Sequence, residues 1–96
     1  MFSVVTVCYD WEIHQPYIES VKGFKTRESA WEWACSAAEE EVDCLNQDCD
    51  VGISFGIPEG EESYQCGSLV KVCYYYEDNT EIVTKRHIIP IEEMSY

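Results

Sequence analysis

The stretch TRESAWEWACSAAEEEVDCLN, residues 26–46, decides the fold, because its apolar residues repeat at helical rather than strand spacing. Trp31, Cys35, Ala38, Val42 and Leu45 are separated by four, three, four and three positions. At roughly 100° per residue they fall on one stripe, which Ala34 widens. Thr26 stands where an N-cap is needed, since its hydroxyl oxygen can accept an orphan amide of the first turn. Glu28 then lies in the positive first turn. The spacing predicts a helix from Arg27 to about Asn46 that packs through this stripe. The opposite arc carries Glu32, Ser36, Glu39, Asp43 and Gln47, a solvated face with carboxylates one to two turns apart. Trp33 falls about 160° from the stripe's centre and is expected outward, with Ala37, Glu40 and Cys44 on its side. An outward Trp is a common interface anchor. The alternatives are a loop around residues 58–67 folding over it, or a homodimer through that second face.

Outward from the helix the chain reads as strands. FSVVTVCY (2–9) is β-branched and aromatic, DWEIHQP (10–16) is a connection ending at Pro16, and YIESVKGF (17–24) alternates weakly and pairs back as a hairpin. After the helix, Val51, Ile53, Phe55 and Ile57 alternate with Gly52, Ser54 and Gly56, giving a half-buried strand stopped by Pro58. EGEESYQCGS (59–68) is an acidic loop. LVKVCYYY (69–76) and EIVTKRHII (81–89) form a hairpin through EDNT (77–80), with Tyr75 on the opposite face from Tyr74 and Tyr76. Residues 91–96 close the chain as a short tail. Ninety-six residues sustain one core, so a single domain over 1–96 is expected. The order β-β-α-β-β-β predicts an α+β fold: an antiparallel sheet of four to five strands with one long helix across one face. Its last three strands form a meander.

Charge narrows the function. Six Lys and Arg stand against nineteen Asp and Glu, a net charge of −13. Between Glu28 and Val70 there are eleven acids and no Lys or Arg. Such a field repels nucleic acid and anionic membranes and attracts basic surfaces, including those that hold nucleic acid. Lys71, Lys85 and Arg86 make at most a small strip across the last hairpin, and cross-strand pairing with acids is its simplest account. No apolar run approaches the roughly 20 residues of a membrane span. FSVVTVCYDW directly after Met1 has neither the charged start nor the cleavage site of a secretory signal. A cytoplasmic location follows as the expectation, with the six cysteines reduced.

The cysteines divide into two sets. Cys8, Cys35 and Cys73 read as small core hydrophobes. Cys44, Cys49 and Cys66 contain no C-x-x-C pair to present two thiolates to one ion, so a zinc site completed by His14 or His87 stays an alternative and no metal is assigned. DCDVG (48–52) opens like a calcium loop but places Gly52 where an oxygen ligand belongs. Cys66 would be a nucleophile only beside a base such as His14 or His87. No phosphate-binding glycine loop is present. No cofactor is expected, and the reading is non-enzymatic.

GFKTRESAWEWA (23–34) resembles the phrase that opens the helix in arm-type DNA-binding domains of phage integrases, through Gly23, Phe24, Thr26, Arg27, Glu28, Ala30 and Trp33. The resemblance implies a small antiparallel sheet followed by a packed helix. DNA binding is not implied, because this chain lacks the basic sheet residues of that family. In size and charge the whole chain resembles small acidic proteins of bacteriophages and mobile elements, among them anti-CRISPR proteins. That resemblance implies a DNA-mimic inhibitor of a basic nucleic-acid-binding protein such as a bacterial defence nuclease. Glu32, Glu39, Glu40 and Asp43 would present the charge, Asp48, Asp50, Glu59, Glu61 and Glu62 would extend it from the flanking loops, and Trp33 would anchor beside them. The alternatives are a small acidic structural or adaptor protein, homodimeric in one version, whose charge serves solubility, and a Cys/His zinc or thiol site.

Overall fold

The computed structural model describes residues 1–10, 15–58 and 69–91. The β-branched and aromatic runs form β1 (Phe2–Asp10), β2 (Gln15–Phe24), β3 (Ile53–Gly56), β4 (Leu69–Tyr76) and β5 (Asn79–Pro90), and the helical stretch forms α1 (Arg27–Gln47). The five strands make one antiparallel sheet in the order β2-β1-β5-β4-β3. The expected α+β architecture and the meander of the last three strands are both present. The order itself comes from β1 entering between β2 and β5, with Val4 opposite Ile88 and Thr6 opposite Arg86. No local pattern announces a pairing between residues so far apart in sequence.

Alternation along each strand sends Val4, Thr6, Val70, Val72, Thr84, Arg86 and Ile88 to the face that α1 covers, and all seven are buried. On the helix the fully buried residues are Ala30, Ala34 and Ala38. The buried centre is therefore rotated by about 60° from the expected stripe. Trp31, Cys35, Val42 and Leu45 are only partly buried against this core. The reason is steric. A spine of methyl groups lets the helix backbone approach the sheet closely, and larger side chains fill the wedges on either side. This rotation also corrects the expected outward Trp33, which packs against the core from the opposite flank.

The helix starts as its cap predicts: Thr26 is extended at φ −124° and ψ 155°, and its Oγ1 accepts the Ser29 amide at 3.1 Å. At the other end the Asn46 side chain pairs with the backbone of Phe55, donating from Nδ2 to its carbonyl at 3.0 Å and accepting its amide at 2.8 Å. That double bond ties the last helical turn to the edge strand β3. The turn between them uses Gly52 at φ 89°, with the Ile53 amide donating to the Asp50 carbonyl at 3.2 Å. Val51, expected to point inward, is 101% exposed, because the turn consumes the first residues of the alternating run and leaves a strand of four.

Candidate functional site

The helix sorts its carboxylates by direction. Glu28, Glu32, Glu39, Glu40 and Asp43 are all exposed, as are Asp48 and Asp50 just beyond the C-terminus of α1. None of these seven makes an ion pair among the described residues. Arg27, the only basic residue of α1, is held with its guanidinium 5.4 Å from the centre of the Phe2 ring. Along 21 residues, about 31 Å of helix, five exposed carboxylates give roughly one charge per 6 Å. One strand of B-DNA carries about one per 3.4 Å. The helix alone thus has about half the linear charge density of a single strand. Glu59, Glu61 and Glu62, named with this surface from sequence, lie outside the described residues.

Where α1 ends, Cys44, Leu45, Asp48, Cys49, Asp50, Ile53, Phe55 and Tyr74 line an open groove of about 310 Å³. Its floor is apolar, with Phe55 and Tyr74 meeting edge to face at 5.6 Å between ring centres. Asp48 and Asp50 stand on its rim. The Cys49 thiol donates to the carbonyls of Ile53 at 3.1 Å and Asn46 at 3.3 Å, so it acts as a hydrogen-bond donor that closes the turn. No disulfide joins the described cysteines, and no group of three or more His, Cys, Asp or Glu among the described residues is arranged to hold a metal ion. Cys66 and His14, which the zinc alternative invokes, lie outside those residues.

Trp33 is half-buried, packed against Phe24 at 5.7 Å between ring centres with the Lys22 ammonium 4.8 Å from its own. Among the described residues, the end of β2 supplies part of its cover. The basic strip expected on the last hairpin is divided between the two sheet faces. Lys71 and Lys85 sit directly opposite one another on the face away from α1, Lys85 lying 5.4 Å from the Tyr9 ring centre. Arg86 turns inward beneath the helix.

There it meets Glu41, which the sequence reading passed over. Glu41 follows Ala38 by three and Ala34 by seven residues, so it lies on the buried line of α1. Its Oε1 accepts from Arg86 Nη2 at 2.9 Å and its Oε2 accepts from Thr84 Oγ1 at 2.6 Å. The side chains are 8% and 21% exposed for Arg86 and Glu41. Among the described residues, Arg86 Nε and Nη1 and Thr6 Oγ1 are buried without a hydrogen-bond partner. A wheel centred on the alanines, instead of the bulky residues, would have flagged Glu41. Beside this pair, Cys8 donates its thiol to Glu19 at 2.8 Å. Burial, then the Glu19 bond and charge and the Glu41 charge, push the Cys8 thiol up to about 11. A thiol so raised is a poor nucleophile near neutrality. Burial also raises Tyr75, with the neighbouring Cys73 adding to it.

No helix among the described residues is long and apolar enough to cross a membrane. Comparison with family models, curated proteins and solved structures yields no match.

Proposed function

We propose that this protein is a non-enzymatic binding module whose acidic helix face docks on a basic, nucleic-acid-binding protein and competes with the nucleic acid there, as an inhibitor of a defence nuclease would. The observation that carries the reading is the division of the α1 carboxylates: the inward one is neutralised by Arg86, while the outward ones are left unpaired on one continuous face. The groove at the end of α1 supplies what charge lacks. An apolar floor with a carboxylate rim suits a Lys or Arg side chain, whose methylenes lie along the floor while its head reaches Asp48 and Asp50. Long-range attraction sets the on-rate and the choice of partner, and a desolvated anchor supplies much of the affinity. In this reading Trp33 contributes from the flank, and Glu59, Glu61 and Glu62 extend the charge.

The test is capture from a bacterial lysate with tagged wild type beside the Glu32→Lys, Glu39→Lys, Asp43→Lys triple variant, with retained proteins identified and then purified. The triple variant should fold as wild type does, because the three side chains are solvated. The retained protein should be basic, should be lost by the variant, and should be released by added duplex DNA and by salt. A partner held equally by both forms, or held in the presence of excess DNA, would overturn the reading. Capture of nothing by either form favours the second reading, in which the charge serves solubility.

A further inference from the structure

Among the described strands, β2 forms one edge of the sheet. β2 is ten residues long and has one neighbour, β1, among the described strands. Nine of its ten residues are exposed, including Tyr17, Ile18 and Val21, the last two at 64%. Along its free side, alternate amides and carbonyls point away from β1, a template for another strand. The protections this edge carries are Pro16 near the start, an irregularity where Thr6 faces Ser20 but Val7 faces Ile18, leaving Glu19 as the extra residue, and the exposed Lys22 further along. The remainder, Ser20 to Phe24, pairs regularly with β1.

Charge indicates what fits this edge. Three of the six basic residues of the chain, Lys22, Lys25 and Arg27, lie on or just after β2, and all three are exposed. On the acidic face of α1 a second copy of so acidic a chain would be repelled. At the β2 edge the strand is also self-complementary. We infer that two copies pair antiparallel through β2 about a two-fold axis at Val21, making one continuous ten-stranded sheet. Antiparallel pairing keeps opposite residues on the same face, so an axis through Val21 sets Lys22 opposite Ser20 of the other copy. The bulge restores the face relation beyond it, bringing Gly23 opposite Ile18 and Phe24 opposite Tyr17. Lys22 of each copy then lies beside Glu19 of the other, both on the helix side of the sheet, and the contact occurs twice. Centring on Lys22 would instead set the two ammoniums against each other, a disfavoured like-charge pair. The axis stands perpendicular to the sheet, so both α1 helices come to one side of it, and the acidic face is doubled whatever it binds.

Light scattering on the full chain across a range of concentrations tests this. Wild type should approach twice 11.1 kDa as concentration rises. Val21→Lys places like charges on the axis and should weaken association by about tenfold or more, with an unchanged circular dichroism spectrum because Val21 is exposed. Lys22→Glu should weaken it too, and Glu19→Lys added to Lys22→Glu should recover part of the loss. Residues directly opposite across antiparallel strands are about 4.5–5.5 Å apart at Cα, within disulfide range. Val21→Cys in a Cys44→Ser background should therefore cross-link to a dimer under mild oxidation, while Val51→Cys in that background should not. This readout holds even if Val21→Lys fails to fold. A wild type that stays monomeric at every concentration overturns the proposal. So does a dimer that neither Val21→Lys dissociates nor Val21→Cys captures.

Discussion

Glu41 and Arg86 show what a single residue can cost or supply here. Removing one member of a buried ion pair strands the other's charge, at about 3–5 kcal/mol, and replacing both by apolar residues of similar volume is often close to neutral. Glu41 keeps a fifth of its side chain exposed, so Arg86 can draw some hydration through that opening. Glu41→Leu is expected near the lower end of that range in urea unfolding. The Glu41→Leu, Arg86→Met pair should recover most of the loss. A double variant as unstable as the single one would mean that the pair holds the helix in register and is not merely neutralising charge. Cys8 makes a separate pH prediction. Its thiol titrates near 9.0 unfolded and about 11 folded, so folding favours the protonated form. The stability contributed by Cys8 is fully present below pH 9.0 and is lost as pH rises through about 11. Wild type should therefore lose stability relative to Cys8→Ala across that window and not below it, as read by thermal melts of both proteins. A constant difference at all pH values would show that the thiol is not the group titrating.

At the scale of elements, the contact between α1 and the sheet depends on having almost no side chain. Ala30, Ala34 and Ala38 are 0% exposed, so Ala34→Leu adds three carbons where the helix backbone lies close to the sheet. Overpacking of this kind costs about 1–3 kcal/mol. The same substitution at Ala37, only partly buried on the flank, should cost less. Chemical denaturation of the two variants side by side checks the rotation of the helix directly, and equal costs would contradict it. The sequence made the helix legible because period and cap agree: Thr26 and Ser29 form the predicted cap, and α1 begins at Arg27 as expected. It made the strands legible because their β-branched runs are bounded by turn residues. The angle of the helix about its axis was not legible, since hydrophobic size and depth of burial diverge where small residues mediate close approach. Trp31 and Trp33 weigh heavily in a periodicity yet sit on the flanks, and Glu41 weighs against burial yet lies on the buried line. The exposed acids needed no such rotation to be found. They span an arc broad enough that a 60° error leaves Glu32, Glu39 and Asp43 outside. The groove at the end of α1 was illegible for another reason: it joins Leu45 and Asp48 to Phe55 and Tyr74, which only the β3–β4 pairing brings together.

Across the whole molecule the net charge of −13 acts on stability whatever it binds. At about 0.01 M salt the screening length is near 30 Å, so carboxylates on separate elements repel one another over most of the fold; at about 1 M it falls to near 3 Å. The compact state concentrates this repulsion and the unfolded chain relaxes it. Sodium chloride should therefore raise the melting temperature, by about 4–8 °C for each kcal/mol of repulsion removed in a chain of this size. The opposite dependence belongs to a protein held together by surface ion pairs, which salt weakens. Here the buried pair of Glu41 with Arg86 is shielded by the helix and loses little. The Glu32→Lys, Glu39→Lys, Asp43→Lys variant takes the net charge from −13 to −7, since each substitution changes it by two. It should melt higher than wild type at low salt and respond less steeply to added salt. If wild type melts at the same temperature at both salt extremes, the surface carboxylates are already far enough apart to be screened by water. The unpaired face of α1 would then carry no stored repulsion for a basic partner to relieve.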